Sequence, residues 1–88
     1  MDEEQIYKDA LNKWGVDAQC MIAIEECGEL ITALSHKYRG RNVNLIEEIA
    51  DVKIMIEQLS IIFGAKEVEE EKTRKLARLN QRLLNAGV

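Results

Sequence analysis

The chain has 88 residues, is 47% hydrophobic with five glycines and no proline, and carries a formal net charge of -4. This composition is typical of one compact domain, residues 1–88, and excludes a disordered chain or a string of modules. The overall negative charge disfavours nucleic acid as a partner, although residues 72–88 carry five basic side chains and no acidic one.

The first half of the chain predicts two helices. Apolar residues recur on one helical face up to Trp14, and Gly15 then ends a short first helix. Asp17 is the expected N-cap of a second helix that runs to about Tyr38. The polar, glycine-containing sequence RGRNV follows it and indicates a connection between helices.

The second half predicts two more helices. Asn44 followed by Glu47 resembles a capping box, so a third helix is expected to begin there and to end near Gly64. A fourth helix is expected from about Lys66 to Asn85. The sequence therefore predicts an all-α fold with a short N-terminal helix and three longer ones.

The third predicted helix is apolar nearly all round, which is typical of a helix surrounded by others. Three partner helices from one short chain hardly suffice to cover it. We therefore expect a four-helix-bundle-like core that is completed by dimerisation.

The cellular setting is indicated by the cysteines and the absence of long apolar runs. Cys20 and Cys27 lie about 10 Å apart along one predicted helix, which exceeds disulfide reach and indicates reduced thiols. The N-terminus lacks a secretion pattern, and residues 45–63, the most apolar stretch, contain five charges. We expect a cytoplasmic protein that does not enter a membrane.

Acidic residues interrupt the apolar faces of the two central helices. At about 100° per residue, Val52 and Met55 fall within about 40° of Glu48, and Asp51 within about 60°. Glu26 and Glu29 stand in the same relation to the apolar face of the second helix. Two such pairs on adjacent antiparallel helices would bring four carboxylates together.

Clustered, poorly hydrated carboxylates require a cation. An oxygen-only ligand set suits Mg²⁺, with Mn²⁺ as a possible substitute, rather than Zn²⁺. On the fourth helix, Lys72 and Lys75 lie within about 40° of its apolar line, so at least one lysine is expected to face the same interior. Acids, a metal ion and inward lysines together favour a polyphosphate site.

The acidic residues form a recognisable pattern: EECGE, with Glu25, Glu26 and Glu29, then eighteen residues, then EIAD, with Glu48 and Asp51. This resembles the E-E-x-x-E … E-x-x-D signature of the MazG-like, all-α nucleoside triphosphate pyrophosphohydrolases. The likeness extends from KWGVDAQ to the lysine-bearing last helix. The resemblance implies a Mg²⁺-dependent enzyme that cleaves (deoxy)nucleoside triphosphates between the α and β phosphates, and a homodimer or dimer of dimers.

The resemblance also implies residue roles. The metal ligands would be Glu26, Glu29, Glu48 and Asp51. Glu25 would either orient these ligands without binding the metal or activate water. Lys72 or Lys75 would bind phosphate, and no residue is assigned to the base.

The alternative function is a non-enzymatic helical dimerisation or interaction module. Leucine in place of the acids would be tolerated in such a module. Where Lys72 or Lys75 instead pairs with the acids as a structural ion network, removal of an acid would leave a lysine charge without a partner.

Overall fold

The structure is a computed structural model and describes residues 1–87, so Val88 of the predicted domain lies outside the described residues. It has four helices: α1 Glu3–Trp14, α2 Val16–Tyr38, α3 Leu45–Phe63 and α4 Ala65–Ala86. No strand is present in residues 1–87. The prediction of an all-α fold, with one short helix and three longer ones, is confirmed.

Side-chain caps fix the starts of two helices. The Asp2 carboxylate accepts a hydrogen bond from the Gln5 backbone N–H at 3.1 Å and begins α1. Asn44 begins α3, because its Oδ1 accepts from the Glu47 N–H and its Nδ2 donates to the Glu47 carboxylate, each at 3.1 Å. The predicted cap at Asp17 is wrong: Gly15 occupies the N-cap position two residues earlier, and Asp17 lies in the first turn of α2.

Two glycines allow helices to follow one another with a single residue between them. Gly15 separates α1 from α2 with φ 90°, and Gly64 separates α3 from α4 with φ 133°. Both values lie in a region that residues with a Cβ rarely adopt. Each glycine therefore permits an abrupt change of chain direction where a longer loop would otherwise be needed.

The centre of the fold is a hairpin of α2 and α3, which pack against each other more extensively than any other pair of helices. The two helices are antiparallel, since Glu48 near the start of α3 meets the middle of α2 while Leu59 lies beside Cys20. Their interface buries Ala23, Ala33 and Met55 together with two glutamines. The face of α3 that carries Glu48 therefore points toward α2, as its apolar pattern predicts.

The first helix is joined to this hairpin by a polar contact. The Tyr7 hydroxyl donates a hydrogen bond to the Glu57 carboxylate of α3. This bond, with partial loss of hydration, raises the pKa of Tyr7 to about 12. Glu57 thus has a structural partner on the side of α3 that faces away from Glu48.

Much apolar surface remains uncovered within one chain. Every residue of α4 is exposed, and on α3 the side chain of Ile46 is 82% exposed. The radius of gyration is 16.4 Å, compared with about 12 Å for a compact domain of this length. The predicted dimer that would complete the bundle stays a prediction. Within residues 1–87, none of the helices combines the length and apolarity needed to cross a bilayer.

Candidate functional site

Three of the predicted metal ligands converge between α2 and α3. Glu26 and Glu29, three residues apart, project from one side of α2, and Glu48 comes from the first turn of α3. Each contributes a carboxylate oxygen, and these three oxygens lie within 4.8 Å of one another. We call Glu26, Glu29 and Glu48 the acid cluster. Glu48 follows Glu29 by 19 residues in the chain. It therefore meets Glu26 and Glu29 only because α2 and α3 form a hairpin.

Two carboxylates of the acid cluster are poorly hydrated. Glu26 and Glu48 are half-buried, whereas Glu29 is exposed. The Oε2 atoms of Glu26 and Glu48 are buried and have no hydrogen-bond partner in residues 1–87. A buried acceptor without a donor or cation is unfavourable. The cluster therefore has a free capacity to bind a positively charged group.

The electrostatics of the cluster agree with this geometry. Burial is the largest cause that raises the pKa of Glu26, and the charges of Glu29, Asp51 and Glu48 raise it further. Burial likewise raises the pKa of Glu48 most, followed by Glu29, Asp51 and Glu47. Both shifts have the direction expected of like charges crowded together with little water. The charge of a bound cation would oppose both shifts, because it favours the ionised carboxylates.

The raised pKa values predict how stability depends on pH. A carboxyl group with a higher pKa in the fold than in the unfolded chain binds its proton more tightly in the fold. The free energy of unfolding of the metal-free protein should therefore fall as the pH rises from the ordinary glutamate value of 4.5 through the raised values of Glu26 and Glu48. Urea titrations in EDTA at stepped pH measure this slope. The double variant Glu26→Gln/Glu48→Gln should flatten it, and an unchanged slope would contradict the coupling.

The two other predicted acids lie next to the cluster. Asp51 is half-buried one turn after Glu48 and is close enough to raise the pKa of Glu26 and Glu48. Its oxygens are not among those that lie within 4.8 Å of one another, so as a ligand it stays a prediction. Glu25 is exposed and lines the groove beside the cluster.

That groove, which we call the acidic groove, is open and has a volume of about 600 Å³. Its polar lining comes from one face of α2 and from the start of α3: Glu25, Glu29, Thr32, His36, Asn44 and Glu48. The sequence assigns His36 no role, yet this side chain is half-buried in the groove. The signal was present in the spacing, because Glu25, Glu29, Thr32 and His36 recur at intervals of four, three and four residues on one face of a helix.

The two predicted phosphate-binding lysines line other grooves of the chain. Lys72 lies near Ile49 and Val68, in a groove between α3 and α4. Lys75 lies with Arg78 and Arg82 along α4. Within residues 1–87, no ion pair joins either lysine to the acid cluster. Phosphate binding by Lys72 or Lys75 therefore stays a prediction that one chain does not test.

Comparison with known proteins adds no relative to this description. No protein family matches the chain, and neither curated proteins nor solved structures yield a significant match.

Proposed function

We propose that the protein hydrolyses (deoxy)nucleoside triphosphates between the α and β phosphates, with Mg²⁺ as cofactor and Mn²⁺ as a possible substitute. The observation that carries the proposal is the acid cluster with its two buried carboxylate oxygens that lack a partner. The MazG-like order of acids along the chain supports the reaction class. The all-α fold agrees with what that resemblance implies.

The residues present fit a hard divalent cation. Carboxylate oxygens are the donors that Mg²⁺ and Mn²⁺ prefer, and no histidine or cysteine belongs to the cluster. Glu26, Glu29 and Glu48 would hold the ion, with Asp51 as the fourth predicted ligand. When bound, such an ion neutralises triphosphate charge and makes water a better nucleophile near neutral pH.

The groove beside the cluster supplies the remaining groups. Its volume of about 600 Å³ lies within the range of sites for small molecules, about 300–1,000 Å³. Glu25 lies at this groove rather than inside the cluster, so it is available to accept a proton from water or to orient it. Thr32 and His36 offer hydrogen bonds to a sugar, base or phosphate. Asn44 caps α3 and is not proposed to contact substrate, because its side chain already forms hydrogen bonds with Glu47.

Charge on the leaving pyrophosphate needs cationic partners as well. Lys72 or Lys75 is proposed for this part, because α4 carries the basic side chains of the chain's C-terminal quarter. The homodimer or dimer of dimers belongs to the same proposal, as does a cytoplasmic location. The free thiols of Cys20 and Cys27 support the cytoplasmic location. The extended shape of the single chain supports the homodimer or dimer of dimers.

A screen for pyrophosphate release tests the proposed reaction. The protein is incubated with each ordinary and damaged nucleoside triphosphate, in ribose and deoxyribose forms, with Mg²⁺ or Mn²⁺. At least one substrate should yield equal amounts of monophosphate and pyrophosphate, and EDTA should stop the reaction. If no triphosphate releases pyrophosphate, the interaction module replaces the enzyme as the better description.

A further inference from the structure

Acidic and basic side chains of the α2–α3 hairpin occupy separate parts of the chain. Residues 30–46 lie between the last acid of α2 and the first acid of α3, and they contain His36, Lys37, Arg39 and Arg41 but no acidic residue. Three of these, His36, Arg39 and Arg41, lie where α2 ends and the chain turns toward α3. We call these three residues the basic turn.

The backbone holds the basic turn in a defined shape. The Gly40 N–H donates to the Lys37 carbonyl, and the Arg41 N–H donates to the His36 carbonyl, each at 3.0 Å. These two bonds form a Schellman motif, which satisfies carbonyl groups of the last helical turn. Arg41 is therefore folded back onto the turn of α2 that carries His36.

The basic turn lies at one end of the acidic groove. His36 lines the groove, as do Val43 and Asn44 of the connection to α3. His36 follows Glu29 by seven residues, which places it about 10 Å farther along the same face of α2. The Cα–Cβ bonds of a helix are tilted toward its N-terminus, so the side chain of His36 starts out in the direction of the acid cluster.

Interactions within the chain do not account for the basic turn. Basic residues are favoured in the last turn of a helix by the partial negative charge of its carbonyl groups, which is a sufficient reason for Lys37. Arg39 and Arg41 follow the last helical residue, Tyr38, and both are exposed. Within residues 1–87, no ion pair and no side-chain hydrogen bond involves the side chains of the basic turn. Their donor groups are therefore available to a ligand.

The order of charges along the groove matches that of a metal-bound polyphosphate. A divalent ion at the acid cluster would neutralise only part of the charge of a triphosphate, and the other phosphate oxygens need donors. In the described part of the chain, His36 is the one residue lining the acidic groove that can carry a positive charge. Arginine suits phosphate well, because its guanidinium group can donate two parallel hydrogen bonds to the oxygens.

We propose that the basic turn binds the phosphate chain of the substrate while the acid cluster holds the metal ion. The inference rests on the proposed reaction for the identity of this ligand, and it adds a phosphate site that one chain forms by itself. Lys72 and Lys75, by contrast, line other grooves. Because contacts to phosphate form when the substrate binds, loss of the basic turn should raise KM more than it lowers kcat.

The test measures binding of inorganic tripolyphosphate in Mg²⁺ by calorimetry, which requires no turnover. Arg39→Gln and Arg41→Gln should each weaken binding on the order of tenfold, since each removes charge-assisted hydrogen bonds. Arg39→Lys should have a smaller effect, because lysine keeps the charge. His36→Ala should weaken binding severalfold, because it removes a hydrogen-bond donor from the groove.

Lys37→Gln is the matched control. It removes one positive charge next to His36, but the side chain of Lys37 projects about 100° away from the face that lines the groove. Lys37→Gln should therefore bind tripolyphosphate like the wild type. All of these variants should keep the helical circular dichroism of the wild type and its stabilisation by Mg²⁺ alone, because the acid cluster is unchanged.

The outcomes separate the basic turn from the proposed reaction. A wild type that does not bind tripolyphosphate would overturn the inference, as would arginine variants that bind it like the wild type. A loss in Lys37→Gln equal to that in Arg39→Gln would also overturn it, since the effect would then be one of overall charge. Binding that depends on Arg39 and Arg41 without any pyrophosphate release would refute the reaction and support the basic turn. Pyrophosphate release with unchanged KM in both arginine variants would refute the basic turn alone.

Discussion

Glu48→Gln is expected to lower pyrophosphate release on the order of a hundredfold or more, as for a displaced metal ion, while the helical fold persists. Glutamine keeps the size of the side chain and removes one charge from the acid cluster. Since the charge of Glu48 raises the pKa of Glu26, its removal relieves repulsion between carboxylates. The metal-free variant should therefore be at least as stable as the wild type in urea at neutral pH.

The structural ion network of the alternative function predicts the opposite result for Glu48→Gln, a loss of stability and no effect on turnover. If Glu48 compensated a buried lysine, glutamine would leave that charge without a partner and destabilise the fold. The ion pairs of residues 1–87 join other residues, among them Lys8 with Glu4 and Lys66 with Glu70. Loss of stability in Glu48→Gln with unchanged turnover would therefore contradict both the geometry and the proposed enzyme.

The matched control for this variant is Glu70→Gln on α4. Glu70 is exposed, and its one ion pair, to Lys66 at 4.0 Å, is a surface contact that contributes less than about 0.5 kcal/mol. Glu57 is less suitable, although it lies on α3, because it accepts the hydrogen bond of Tyr7. Activity and stability of Glu70→Gln should both match the wild type.

Millimolar Mg²⁺ or Mn²⁺ is expected to raise the melting temperature of the wild type. An ion that binds the folded state alone stabilises it by about 1.4 kcal/mol at ten times its dissociation constant. For a domain of this size, such a gain shifts the melting temperature by roughly 6–11 °C. Thermal scans with and without EDTA measure the shift.

Variants show whether the stabilising ion binds at the acid cluster. Glu48→Gln and Glu26→Gln should lose most of the shift, because each removes one of the three converging carboxylates. Glu70→Gln should keep it. Equal shifts in all three variants would place the ion elsewhere. A wild type that neither shifts nor takes up metal in calorimetry with a substrate analogue would refute the metal site.

The parts of the fold that sequence predicted are those with local causes. The helix starting at Asn44 follows from a cap and its partner three residues later, and the inward face of α3 follows from apolar spacing around Glu48. The meeting of Glu26, Glu29 and Glu48 required one further step, that adjacent helices with a short connection are antiparallel. Periodicity and one rule of packing therefore predicted the three acids of the cluster, whereas Asp51, the fourth predicted ligand, stays a prediction.

The parts that sequence missed depend on contacts between helices. Periodicity places Lys72 and Lys75 on a face of α4, but the direction of α4 depends on the backbone at Gly64. The bond between Tyr7 and Glu57 joins residues fifty positions apart, and neither residue has a local feature that predicts it. Likewise the exposure of Ile24 and Ile31 on α2 depends on where α1 and α4 lie, which the spacing of α2 alone does not determine.

The cap at Asn44 ties the geometry of the acid cluster to the end of a helix. Helix ends fray more easily than helix interiors, and the N–H groups of the first turn lack partners in the helix. Glu48 lies in that turn, so any fraying of α3 would carry its carboxylate away from Glu26 and Glu29. The hydrogen bonds between Asn44 and Glu47 oppose this loosening. Two residues that the MazG-like signature leaves out thus act as an anchor, and the precision of the acid cluster depends on them.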